Sequence, residues 1–192
     1  MKLKLVFAFV FTLAGLTHAT FPSAYAGEGC LDVPKYTGGW YQIATTKYVS
    51  DTMEYGCTCP QLYYKLNETN SDNVDGTYAC LQSGNTVKYN VQLRRPNPKQ
   101  YPSQFQLYMP ATMPDWPSNV NYVVLKTWRD ENGNLSYVLI GLDNPNAFWL
   151  IARSPRMDNG IIQNAIQTAY SQGYNTTSLH VDDQNKCLHL LQ

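Results

Sequence analysis

The residues with the widest chemical options are five cysteines: Cys30, Cys57, Cys59, Cys80 and Cys187. A nucleophilic cysteine must be a thiolate, which requires a neighbouring base, cation or metal. Beyond residue 26 the only histidines are His180 and His189, both close to the end of the chain. The pair Cys57-Thr58-Cys59 is spaced too tightly for the usual zinc pattern, so no metal is expected. The sequence holds no Gly-x-Ser-x-Gly, His-Glu-x-x-His, phosphate-loop or dinucleotide motif, so no cofactor is expected. Asp182-Asp183 reads as a solvated turn. On these grounds no catalytic residue is assigned.

The compartment decides what the cysteines do. Lys2 and Lys4 precede an apolar run from Leu5 to Leu16, and Ala24-Tyr25-Ala26 is an Ala-x-Ala cleavage pattern. Residues 1–26 therefore read as a signal peptide and 27–192 as one domain. The run is too short for a membrane anchor, and no stable membrane insertion is expected. In an oxidising compartment the cysteines read as disulfides, with one of the five left over. Sequons at Asn67, Asn134 and Asn175 are candidate glycosylation sites. The formal net charge is +0, so there is no basic excess to attract nucleic acid.

The elements that must position these residues are strands. Runs with alternating or apolar character at 39–47, 59–66, 77–82, 87–93, 105–109, 121–128, 135–142 and 147–153 are separated by turn signals, among them Gly84-Asn85 and Asn144-Pro145-Asn146. Pro110, Pro114 and Pro117 stiffen the loop before the sixth strand. Eight antiparallel strands in succession predict an up-and-down β-barrel, which removes exposed edges. Ile161, Ile162, Ala165, Ile166, Ala169 and Tyr170 then recur at helical spacing, with Asp158 as N-cap and Gly173 just past the end. The eighth strand, Phe148-Trp149-Leu150-Ile151, is apolar on both faces. One face lines the interior, and the other receives the helix on the outside of the barrel. A short strand at 178–181 leads back towards Cys187.

Two motifs in this setting resemble those of the lipocalin family. Gly38-Gly39-Trp40, followed by Tyr41-Gln42-Ile43-Ala44, is similar to the first family motif. Trp149-Leu150-Ile151-Ala152-Arg153 is similar to the third, an Arg late in the last barrel strand. The helix and the ending through Cys187 look like those of apolipoprotein D and the bacterial lipocalins. The second motif is not kept, since Lys126-Thr127-Trp128-Arg129-Asp130 lacks its Asp-Tyr. Cys57-Thr58-Cys59 with Cys80 is similar to an arrangement in plastid lumenal lipocalins. The resemblance implies a mainly β fold, an eight-stranded barrel with one outer helix. It gives Gly38, Trp40 and Arg153 a structural role, with Arg153 lying across the Trp40 ring at the closed end. It favours a Cys59–Cys187 bridge, with Cys80–Cys187 as the other family-like pairing. Cys57 with Cys80 or Cys30 makes a second bridge.

Anchored on Trp40 and Arg153, alternation places Gln42, Ala44, Trp149 and Ile151 inside the barrel. Polar neighbours select Val87, Tyr89, Val91 and Leu93, and likewise Phe105, Leu107 and Met109. Tyr122, Val124, Tyr137 and Leu139 complete the expected ligand-binding lining. An apolar interior with sparse hydroxyls suits one small lipophilic ligand: a fatty acid, sterol, retinoid, carotenoid or bilin. The expected function is extracytoplasmic binding or transport, by a secreted protein or, as the alternative, one in the plastid thylakoid lumen. Two other readings stand beside it. One is a lipocalin-fold enzyme acting through a cavity cysteine. The other is a barrel filled by its own side chains that acts through the loop 110–117.

Overall fold

The computed structural model describes residues 31–111, 113, 115–184, 187, 190 and 191. The readings on residues 1–26, Cys30, Pro114 and His189 lie outside the described residues. The chain begins with a single turn of helix, α1 (Val33–Tyr36). The barrel strands follow as β1 (Gly38–Thr46), β2 (Cys57–Leu66), β3 (Val74–Gln82), β4 (Asn85–Arg94), β5 (Gln104–Tyr108), β6 (Tyr122–Arg129), β7 (Leu135–Leu142) and β8 (Phe148–Ala152). Each pairs antiparallel with the next, and β1 pairs with both β2 and β8, which closes the barrel. The last strand, β9 (Leu179–Val181), pairs with the far half of β1 from Ala44 to Thr46, beyond the stretch that β2 occupies.

Two helices were not anticipated, the single turn α1 and a second, longer one. α2 (Lys47–Thr52) lies between β1 and β2, and the Thr46 side chain caps it by accepting from the Val49 amide. In an up-and-down meander alternate connections share an end of the barrel. The α2 connection therefore lies at the same end as the β3–β4, β5–β6 and β7–β8 turns, the mouth. α1 lies at the opposite, closed end.

The expected outer helix, α3 (Asn159–Ser171), is present. Asp158 caps it through a hydrogen bond from the Gly160 amide, and Gly173 follows at φ +87. Ala165 and Ala169 bury its apolar stripe against Val123, Leu125, Leu139, Phe148 and Leu150. Tyr174 then packs on the barrel wall, where a Cβ at Gly141 would fall 2.1 Å from its hydroxyl. That hydroxyl donates to the Leu142 carbonyl at 2.8 Å. The barrel wall thus separates two apolar layers, an inner one inside the barrel and an outer one under α3.

The second layer corrects the expected lining. β1 shifts register between Gln42 and Ala44, so Ala44 joins the outer layer and not the interior. On β7 the interior residues are Val138, Ile140 and Leu142, while Leu139 packs under α3 and Tyr137 lies outside either layer. Both faces of β7 are apolar because both are covered, so alternation carries no phase there.

Candidate functional site: a cavity behind a closed barrel end

The closed end is built from the two motifs. Arg153 lies 3.6 Å over the Trp40 ring. Its guanidinium donates to the carbonyls of Gly39 at 2.7 Å, Thr37 at 2.6 Å and Lys35 at 2.9 Å. Trp40 Nε1 donates to the Tyr36 carbonyl at 2.9 Å. Gly38 sits at φ +95, and a Cβ there would approach the guanidinium to 3.2 Å, so this position calls for glycine. Gly39 has no such need, since a Cβ there meets nothing. Above this plug, Tyr36 stacks on Tyr64 with ring centroids 5.2 Å apart and shares a hydrogen bond with the Tyr122 hydroxyl. Burial raises the pKa of all three phenols, that of Tyr64 to about 12.

Above the tyrosines lies a cavity of about 330 Å³. Of the residues expected to line it, Gln42, Tyr89, Val91, Leu107, Met109, Tyr122, Trp149 and Ile151 do so. Leu93, Phe105 and Val124 point inward but are absent from the cavity wall, and with Tyr36 they fill the closed part of the barrel. Val87 packs half-buried against the inner layer without reaching the cavity. The barrel is therefore filled in one part and hollow in the other.

Sequence reasoning missed the contribution of β2, β3 and the α2 connection. Leu62, Tyr64, Tyr78, Gln82, Thr52, Met53, Glu54 and Tyr55 all line the cavity. Leu62 and Tyr64 alternate with exposed Tyr63 and Lys65, a signal that was available. Glu54 gave none, because an acidic residue between Met53 and Tyr55 in a connecting segment reads as exposed.

Glu54 is the chemical centre of the cavity. Its Oε1 accepts from Trp149 Nε1 at 3.0 Å, and its Oε2 from Gln42 Nε2 at 2.8 Å. Gln42 Nε2 also donates to Asp182 Oδ2 at 3.1 Å. Burial of the carboxyl, reinforced by nearby Asp182, pushes the Glu54 pKa up to about 7. Asp182 is raised for the same first reason, with His180 opposing at 3.5 Å. The Tyr78 hydroxyl, with the residue only 8% exposed, faces Glu54 and favours its ionised form.

The disulfides form at the mouth end of β2. Cys59 bridges to Cys187 and Cys57 to Cys80, which selects among the pairings left open. Cys57 lines the cavity but is held in its bridge. Among the described residues no group of three or more His, Cys, Asp or Glu is placed to hold a metal. No described helix is long and apolar enough to cross a membrane. Asn134 and Asn175 are exposed and Asn67 is half-buried. The Nδ2 groups of Asn67 and Asn175 donate to Asp75 and Asn146.

Residues 31–184 match the family described as Lipocalin-like domain. The chain belongs to the lipocalin family. Temperature-induced lipocalin-1 of Arabidopsis thaliana is 24% identical over 162 residues, spanning 81% of this chain and 80% of that protein. Among solved structures, apocrustacyanin C2 superposes with a TM-score of 0.55 at 17% identity, covering 79% of each chain. H1 crustacyanin from the lobster Homarus americanus gives 0.54 at 18% identity, covering 78% of this chain and 77% of that one. The cockroach allergen Per a 4 gives 0.52 at 15% identity, with 79% and 88% covered. At these identities the structural likeness speaks for the fold.

Proposed function

We propose that this lipocalin binds a small hydrophobic molecule in its barrel cavity and acts outside the cytoplasm as a binding or transport protein. The observation that carries this reading is the cavity itself. It is walled by aromatic and aliphatic side chains, closed below by Trp40 and Arg153, and framed at the mouth by Met53 and Tyr55, the latter 76% exposed. Two disulfides and the leader-like residues 1–26 support an oxidising compartment. Binding is favoured over thiol chemistry because Cys57, the cysteine in the described cavity wall, is bridged to Cys80.

The test is to purify the protein natively, record its absorption spectrum, and identify molecules in an organic extract by mass spectrometry. A co-purifying lipophile in near-stoichiometric amount is the expected result. A colourless protein without bound lipophile, whose tryptophan fluorescence does not respond to fatty acids, sterols or retinoids, would overturn the reading.

A further inference from the structure

We infer that Glu54 and Tyr78 anchor the polar end of a lipophilic amine, bound as its ammonium ion with the hydrocarbon part in the cavity. This rests on the ligand-binding reading above and adds the chemical class of the ligand.

Among the described residues no Lys, Arg or His lines the cavity, so an anionic ligand would find no counter-ion among them and would face Glu54, with Asp182 behind Gln42. Glu54 is half-buried at the cavity mouth, its carboxyl withdrawn from water, and among the described residues no cationic side chain pairs with it. A buried carboxylate without a cation is costly, and an ammonium group supplies the missing charge.

Hydrogen-bond capacity points the same way. Trp149 and Gln42 each occupy one lone pair of the carboxylate, one on each oxygen, and the Tyr78 hydroxyl faces the same carboxylate, which leaves acceptor capacity for a ligand donor. The Tyr78 hydroxyl, turned towards Glu54, can donate to the carboxylate and still accept from a ligand. An ammonium carries three donors and no acceptor, so it can donate to Glu54 and Tyr78 together. The walls add to this, because Tyr64, Tyr89, Tyr122 and Trp149 present aromatic rings to the same space, the surroundings that attract an organic cation.

The groups that face Glu54 set the pH response. Gln42 on β1 and Trp149 on β8 donate to it, and Tyr78 on β3, with Tyr89 of β4 behind it, lies alongside. Asp182, which follows β9 and has His180 beside it, shares Gln42. An ammonium favours ionised Glu54, so amine affinity falls as pH drops through about 7. Protonation of Asp182 acts in the same direction.

The experiment is calorimetric titration of the full chain with n-octylamine, n-octanol and n-octanoate at pH 8, repeated with Glu54→Gln and Tyr78→Phe. The amine should bind most tightly. Glu54→Gln should weaken it about tenfold or more while leaving octanol within about threefold, and Tyr78→Phe should weaken it about threefold. In the unsubstituted protein, amine affinity should fall on acidification below pH 7, and Glu54→Gln should flatten that fall. Octanoate binding as tightly as the amine, or an amine affinity indifferent to both pH and Glu54→Gln, overturns the inference and leaves the ligand-binding reading standing. If none of the three probes binds, the ligand-binding reading fails, and this inference with it. Octanol binding by Glu54→Gln checks that the variant is folded, and the pH series needs no variant.

Discussion

At the closed end, the Arg153 guanidinium is covered on one face by the Trp40 ring and donates to four backbone carbonyls. At the mouth, the half-buried Glu54 carboxyl has two neutral nitrogen donors, the Tyr78 hydroxyl beside it, and no cation among the described residues. The first arrangement satisfies its hydrogen-bond donors from within the chain, as expected of a structural plug. The second leaves acceptor capacity facing a hollow, as expected of a site completed by something else. The covalent bonds follow the same division. Both disulfides enter β2 at its mouth end, whereas the closed end is held by rings and hydrogen bonds.

If the mouth depends on its bridges, removing them should have the largest effect. Cys59–Cys187 spans 128 residues and Cys57–Cys80 spans 23. In the chain-entropy account their loss costs about 5 and about 3 kcal/mol. Cys187→Ser should therefore lower the urea midpoint more than Cys80→Ser, and the reverse order would show that strand geometry outweighs loop length. Next comes the plug. Trp40→Ala should cost about 3–5 kcal/mol in urea unfolding and leave ligand affinity of the folded protein nearly unchanged. A loss of affinity at unchanged stability would instead place Trp40 in the site.

A third test concerns the cost of the mouth. Glu54 titrates at its ordinary 4.5 when unfolded and near 7 when folded. Between those values the unfolded chain has lost the proton that the folded chain keeps, so stability falls as pH rises through the window and levels off above it. The total is on the order of 3 kcal/mol. Glu54→Gln should flatten this part of the stability profile of the ligand-free protein, measured by urea unfolding across the window. An unchanged profile would mean that water reaches the carboxyl.

The smallest effects separate two adjacent glycines. Gly38→Ala must adopt φ +95 with its methyl against Arg153 and should cost about 1–3 kcal/mol. Gly39→Ala meets open space and should be neutral within about 0.5 kcal/mol. Equal costs would break the distinction drawn at the closed end.

Much of this was legible in the chain. The strands, the outer helix with its Asp158 cap, and the Trp40–Arg153 pair follow from turn signals, periodicity and two motifs. Where one face of a strand meets water, as in β4 and β5, polar neighbours located Tyr89, Val91 and Leu107 on the cavity side. The readings that changed lie where that contrast is lost. Ala44 follows a register shift in β1, and Leu139 lies on a strand covered on both sides. Neither the shift nor the cover alters local composition, so neither leaves a mark that alternation can read.

By itself, the sequence determined the elements and their order, because hydrophobic period, turn residues and capping are local properties of the chain. Tertiary structure decided which cysteines meet and how far the tyrosines fill the barrel. It also decided that Glu54 turns inward to Trp149, 95 residues further along the chain. These outcomes depend on which distant segments share a small volume. There, burial can turn an ordinary carboxylate in a connecting segment into the most chemically distinctive group of the molecule.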